Sequence, residues 1–385
     1  MQILKLLIRN SFRHKLRTSL TVLGITIAIL AFGLLRTVVS AWYAGVEASS
    51  ASRLVTRNSI SLIFFLPLSY KEKIRQIPGI KNLSYAYWFG GIYISEKNFI
   101  PNFAVDAKTV FEMFPEFVLP EDQKNAFLRD RKACVAGEKV AEKYGWKIGD
   151  TITLKGTIFP GNWEFVLRGV YRGAYKGTDE TQFFFHWDYL NETLKKTDPN
   201  RADNVGWYTV NVTSPGLAAD VAAAIDNTFK NSLAETITET EKAFQLGFVS
   251  MTEAIIIAVR IVSFVVIVII MAVMANTMAM TARERIGEYA VMKTLGFGGW
   301  YIAGLIFGES FFIASMGCAL GILATFPAAM AFGDAMSTYF PVFNVQRQTI
   351  YMDIAATFIV GFVAGVFPAW RAVKLRIADG LRRIG

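Results

Sequence analysis

Histidine and cysteine are nearly absent: the 385 residues hold two of each, His14 and His186, Cys134 and Cys318. A zinc centre needs several such ligands at close spacing, so no metal site is expected. An intramolecular disulfide is not expected either, because Cys318 falls inside an apolar run of membrane length and Cys134 outside one. No Gly-x-x-x-x-Gly-Lys-[Ser/Thr] sequence occurs, so nothing on this chain is built to cradle ATP phosphates and no cofactor is expected on it. No Ser-His-Asp constellation stands above chance, and the chain is read as non-catalytic. Acidic residues are the scarcer charge, 31 against 40 basic, for a net charge of +9.

What is abundant is apolar surface. Hydrophobic residues make up 53% of the chain, above the proportion usual for soluble domains. Four runs are candidate membrane spans. The first covers 16–46, with no charge in 20–35; the second, 254–282, is interrupted only by Arg260; the third, 301–332, only by Glu309. The fourth, set at 352–370, has an uncharged stretch at 354–370 and sits at the short end of the roughly 20 residues that cross ~30 Å of hydrocarbon.

Lys5, Arg9, Arg13, Lys15 and Arg17 precede the first run, Arg283, Arg285 and Lys293 lie between the second and third, and Arg371, Lys374, Arg376, Arg382 and Arg383 follow the fourth. The positive-inside rule makes all three places cytoplasmic, with both termini inside and 47–253 outside. The charge balance agrees: 47–253 holds 24 Lys and Arg against 25 Asp and Glu, which leaves 16 basic against 6 acidic residues for the rest. Once orientation has used the basic excess, no basic stripe with interleaved aromatics remains. Nucleic acid is therefore not an expected partner, whereas membrane lipid is.

A basic lead of 17 residues and an apolar stretch running on to Val46 fit an uncleaved anchor better than a signal peptide. Within the lead, Ile3, Leu4, Leu7, Ile8 and Phe12 recur at helical spacing, so 1–15 is expected as an amphipathic helix on the inner membrane surface. Outside, β-rich runs at 59–66, 83–94, 151–154, 165–171 and 207–212 read as strands, and 69–77, 137–144 and 217–233 as helices. The stretch 233–253 is expected to be helical and to continue into the second span as a stalk. The fold class is thus membrane α-helical, four transmembrane helices with a large α+β extracytoplasmic domain between helices 1 and 2. The abundant aromatics of that domain, Tyr85, Tyr87, Trp88, Phe89 and Phe183-Phe184-Phe185, are expected in its core.

Three charges fall in or near the apolar runs. Arg260 and Arg36 lie near outer ends, where long side chains snorkel. Glu309 is about eight residues from the cytoplasmic end; it faces a partner helix in a structural or coupling role, or binds an ion or substrate. Where the second run ends, Arg283, Glu284, Arg285, Glu288 and Lys293 are expected to meet the aqueous phase, ahead of Gly296, in the cytoplasmic segment 283–300. Topology alone accounts for the basic members of this set and leaves Glu284 and Glu288 unexplained.

Four motifs carry a family resemblance. They are Asn10-Ser-Phe-Arg-His-Lys-Leu-Arg-Thr-Ser-Leu-Thr-Val-Leu-Gly-Ile25, Gly137-Glu-Lys-Val-Ala-Glu-Lys-Tyr-Gly-Trp-Lys-Ile-Gly-Asp150, Arg283-Glu-Arg-Ile-Gly-Glu-Tyr-Ala-Val-Met-Lys-Thr-Leu-Gly296 and the run from Phe367 to Arg382. In this order, with one span before a large outer domain and three after it, the chain resembles the permeases of the MacB and FtsX group of ABC transporters, the type VII or mechanotransmission family. The resemblance implies a bacterial inner-membrane protein and a homodimer or heterodimer with a second permease copy. It also implies a pair of cytoplasmic ATPase subunits, expected on a separate polypeptide, that bind ATP and Mg. It places a coupling helix at Arg283, Glu284, Arg285, Glu288, Lys293 and Gly296, docking on that ATPase. The expected activity is export or extraction of a hydrophobic or amphipathic substrate, with a periplasmic adaptor and outer-membrane channel as further partners. The alternatives are an FtsX-like regulator of a periplasmic partner such as a cell-wall hydrolase, or a lipoprotein-releasing permease.

Overall fold

The computed structural model describes residues 13–98, 100–336, 340, 342–374 and 376. The amphipathic lead at 1–12 and the tail carrying Arg382 and Arg383 lie outside the described residues. The described residues divide into two compact units, one within 13–41, 252–335 and 343–376 and the other within 42–251 and 336–342.

The first unit is helical: α1 (Lys15–Trp42), α2 (Glu253–Glu284), the short α3 (Ile286–Thr294), α4 (Gly299–Ala335) and α5 (Arg347–Lys374). The four long helices are each long and apolar enough to cross a membrane. Their outward faces stay apolar, with Phe264, Leu323, Phe358 and Phe362 exposed, as a lipid-facing surface requires. Close approach between helices rests on small residues. On α4, Gly317 and Gly321 stand one turn apart, and a Cβ at either would lie 2.6 or 2.7 Å from Ile25 or Ile29 of α1. On α5, Gly361 and Gly365 receive the rings of Phe311 and Phe307 in the same way. Such small-xxx-small pairs let helix backbones pack closely where lipid removes the ordinary hydrophobic drive. Ser310 adds a hydrogen bond across the α4–α5 seam, donating to the Gly361 carbonyl at 2.7 Å. Helix α5 starts at Arg347, five residues before the fourth run as set at 352–370, so its first turns carry Asp353 into the bundle.

The second unit is a mixed sheet with helices against it. In order across the sheet the strands are β13 (Thr236–Thr240), β1 (Arg53–Asn58), β12 (Trp207–Val212), β3 (Ile80–Trp88), β5 (Asn102–Val105), β10 (Phe183–His186), β7 (Ala133–Gly137), β9 (Gly161–Gly173), β8 (Thr151–Gly156) and β4 (Gly91–Ile92). Strand β6 (Phe117–Val118) pairs with β9, and β2 (Leu66–Pro67) pairs with β11 (Asn204–Val205) apart from the main sheet. The pairs β5–β10 and β7–β9 are parallel and the other pairs antiparallel. Because successive strand side chains alternate faces, Phe183 and Phe185 enter one apolar cluster with Phe89 and Phe165. Phe184 enters another, with Phe127 and Tyr171.

Two expectations change here. The run 59–66 is not a strand: Ile60 and Ile63 are exposed, the Asn58 side chain accepts from the Ile60 amide, and only Leu66 joins a strand. The strand comes earlier, at Arg53–Asn58, where buried polar side chains disguise it. The stretch 233–253 is not one helix. Alternating Thr236, Thr238 and Thr240 pair with β1 as β13, and the Asp226 carboxylate accepts from the Thr238 amide and from both the Thr236 and Thr238 hydroxyls. A separate helix, Glu241–Met251, follows.

Candidate functional site

The charged segment after α2 is built on a break in the helix. Arg285 leaves helical geometry with φ −101° and ψ 11°, and α3 restarts at Ile286. That break turns the Arg285 side chain inward, to 7% exposure. Its Nη1 donates to Glu309 Oε2 of α4 at 2.8 Å and its Nε to Glu288 Oε2 at 3.0 Å. The acidic residue expected to face a partner helix therefore finds a cation from the α2–α3 junction. Burial disfavours both charges singly, and each offsets that cost for the other only while the pair is intact.

The remaining acids are tied to the start of α1. Arg17 donates two parallel hydrogen bonds to Glu284, Nη1 to Oε2 and Nη2 to Oε1, both 2.7 Å, in the fork geometry that favours Arg over Lys. His14 stands 3.6 Å from the same carboxylate. Arg13 pairs with Glu288. Burial pushes the Glu288 carboxyl up, but the hydrogen bonds from Arg13 and Arg285 outweigh it and hold the group below the usual carboxylate range. The two acids that topology leaves unexplained thus have partners inside the chain. Sequence reasoning used Arg13 and Arg17 only for orientation. The alternation of basic residues before the first span with acidic residues after the second was the available signal for this pairing.

The other sequence-selected residues divide. Lys293 donates to the Val373 carbonyl of α5 at 2.8 Å, satisfying one of the free carbonyls near that helix end. Gly296, at φ +89°, closes α3: its amide donates to the Lys293 carbonyl and the Phe297 amide to the Met292 carbonyl. This is the paired bonding of a left-handed glycine cap. Arg283 is exposed, as are Val291 on α3, Leu295 and Phe297 in the turn after it, and Trp300 at the start of α4. Arg260 is also exposed and lies on α2 far from this group, beside Arg36. The network thus brings together Glu284, Arg285, Glu288 and Glu309, and leaves Arg283 and a row of apolar side chains facing outward. Among the described residues no group of three or more His, Cys, Asp or Glu could hold a metal ion. Both cysteines are buried free thiols, and His186 packs in the sheet unit with Nε2 2.7 Å from the Phe127 carbonyl.

Comparison with known proteins bears on the whole chain. The MacB-like periplasmic core domain matches residues 18–228 and the FtsX-like permease C-terminal domain matches residues 260–378. An uncharacterized ABC transporter permease of Methanocaldococcus jannaschii is 23% identical, covering 97% of this chain and 96% of its own. The ABC transporter permease YtrF of Bacillus subtilis is 26% identical over 28% of each chain. Among solved structures, the periplasmic region of MacB from Actinobacillus actinomycetemcomitans matches 53% of this chain and 95% of its own, with 8% identity and a TM-score of 0.37. The extracellular domain of the noncanonic ABC-type transporter YknZ from Gram-positive bacteria matches 49% of this chain and all of its own, with 12% identity and a TM-score of 0.35.

Proposed function

The chain belongs to the MacB/FtsX-like family of ABC transporter permeases, and from that premise we propose that it transmits the motion of a separate ATPase pair through its helices to an extracytoplasmic domain. The substrate class is hydrophobic or amphipathic, and ATP and Mg are bound by the partner. In this reading the basic end of the helical unit is cytoplasmic, in accord with its Lys and Arg excess.

One observation carries the proposal. The segment from the end of α2 to the start of α4 ties its acids to Arg13, Arg17 and Arg285 and leaves Arg283, Val291, Leu295, Phe297 and Trp300 exposed. An apolar row with one cation is a surface that another protein covers. Because Arg285 ties the α2–α3 junction to α4 and Lys293 ties α3 to α5, a push on that surface moves three spanning helices together, as a rigid element. The docking role therefore rests on the exposed apolar row and Arg283, with Glu284, Arg285 and Glu288 as the stiffening beneath it.

The test is a mild-detergent pull-down of the tagged chain with mass spectrometry of its partners and an ATPase assay on the complex. The expected result is one ATPase subunit per permease with vanadate-sensitive turnover, and its loss in Leu295→Asp and Phe297→Asp. A permease that recruits no ATPase sinks the reading. An adaptor among the partners favours export, and a cell-wall hydrolase favours regulation of that enzyme.

A further inference from the structure

A second polar group lies within the helical unit, away from α3. Asp353 of α5 is 1% exposed, and its Oδ1 is buried without a hydrogen-bond partner. The carboxyl lies against α1 at Gly33, where the lack of a side chain also leaves room for Thr325. A Cβ there would stand 3.4 Å from Asp353 Oδ2 and 3.2 Å from Thr325 Oγ1 of α4. Three helices thus meet around one acid.

The hydroxyls around it decide the chemistry. Thr37 Oγ1 donates to the Gly33 carbonyl at 2.7 Å, Thr325 Oγ1 to the Gly321 carbonyl at 2.8 Å and Thr357 Oγ1 to the Asp353 carbonyl at 2.8 Å. The Cys318 thiol lies 3.9 Å from the same Asp353 carbonyl. Each hydroxyl has spent its single proton on a backbone oxygen and has only lone pairs left to offer. With Oδ1 unpartnered, an ionised carboxylate would be a bare charge in a span where that is costly. A neutral carboxyl removes that charge, and Thr325 Oγ1, beside the same Gly33 position as Asp353 Oδ2, has lone pairs with which to accept from it.

We propose that Asp353, Gly33 and Thr325 form an intramembrane proton site, in which the bound proton lets α5 close on α1 and α4. Other ionisable groups on the packed helices are few. Arg36 follows Gly33 by one turn on α1, its Nε also buried and without a partner. Arg260 on α2 stands beside Arg36, Cys318 belongs to α4, and Arg347 begins α5. None of them is bonded to the Asp353 carboxyl in this arrangement. Release of the proton requires the three helices to part, so the packing of the unit depends on pH.

Infrared difference spectroscopy on the full chain in lipid bilayers reads the proton directly and needs no ATPase partner. At neutral pH the wild type should show a protonated-carboxyl stretch that shifts in deuterium oxide and is lost in Asp353→Asn. In parallel, the wild type should melt at progressively lower temperature as pH rises, because packing that depends on a bound proton weakens as the proton is withdrawn. Asp353→Asn keeps the shape of the neutral acid and should fold with a pH-independent melting temperature over the same range. Absence of an Asp353-dependent band at neutral pH overturns the proposal. So does loss of the band on adding sodium or potassium at fixed pH, which would make the occupant a metal cation. Asp353→Asn melting as low as Asp353→Lys at every pH would show that the carboxyl is required in its charged form, and would also overturn it.

Discussion

At one end of the helical unit Arg13, Arg17 and Arg285 reach Glu284, Glu288 and Glu309. About 30 Å along α1, by the rise of 1.5 Å per residue, Arg36 and Asp353 each carry a buried atom that meets no partner. The same helix therefore begins in a satisfied network and ends among unsatisfied groups. Where every acid is paired across α1, α2, α3 and α4, the helices have one good arrangement and move as a body. Where polar groups are left over, more than one arrangement is close in energy, and that end can respond to a proton or to a shift of its neighbours.

The largest expected effect comes from making the paired end resemble the other. Arg285→Ala leaves Glu309 buried and alone, and removal of one member of a buried pair costs about 3–5 kcal/mol. Unfolding of the detergent-solubilised chain by heat should show it. Replacing both Arg285 and Glu309 by Met should recover most of the loss, because the orphaned charge goes with its partner. Equal destabilisation by the single and double replacements would mean that the pair is not a unit. Glu309→Gln should be milder, since an amide can still accept from Arg285.

The stretch between the two ends offers the next effect. Gly317→Leu or Gly321→Leu would drive side chains into Ile25 and Ile29, and into the Val22 and Thr26 carbonyls 3.1 and 3.0 Å from the new Cβ positions. Overpacking of this kind costs about 1–3 kcal/mol. Both changes should loosen α1 from α4, and cysteine cross-linking between those helices would report it as a lower yield. An unchanged yield would show that the seam holds without the close approach. The comparison is sharpened if such a variant also alters the pH response attributed to Asp353 while leaving the Arg285 network intact.

The sequence made parts of this legible for physical reasons. A membrane imposes a length and excludes charge, so four apolar runs were visible without any knowledge of contacts, and the outer domain was visible as what remained. Glu309 could be read as facing a partner helix, because it lay too deep to reach water. That the partner is Arg285 could not be read, since it depends on the break in the helix after Glu284. Asp353 was missed for the opposite reason. It stands at the second position of the fourth run as set at 352–370, but that run was judged by its uncharged stretch from 354 on, so the charge was passed over, although α5 starts six residues before it. In the sheet unit β1 escaped notice because Arg53, Thr56 and Asn58 look like surface. In fact Arg53 is 4% exposed and bonds Glu116 and Glu241, holding the first strand to the last helix of that unit.

The smallest effect is expected where pairing is most visible. The Arg17–Glu284 fork has good geometry, but both side chains are partly exposed, 26% and 36%, and water screens such pairs to below about 1 kcal/mol. Glu284→Gln should therefore barely change the melting temperature at neutral pH. Acid should act chiefly through Glu288, which Arg13 and Arg285 hold below the usual carboxylate range against the upward push of burial. A depressed carboxyl contributes fully above the ordinary range near ~4.3 and loses its contribution as pH falls through its own lower value. The wild type should thus lose stability on acidification while Glu288→Gln, already without that contribution, shows a shallower fall. If Glu284→Gln flattened the acid limb as much as Glu288→Gln, the fork to Arg17 would matter as much as the pairing of Glu288 with Arg13 and Arg285. The graded picture of this end, strongest at Arg285 and weakest at the surface, would then have to be given up.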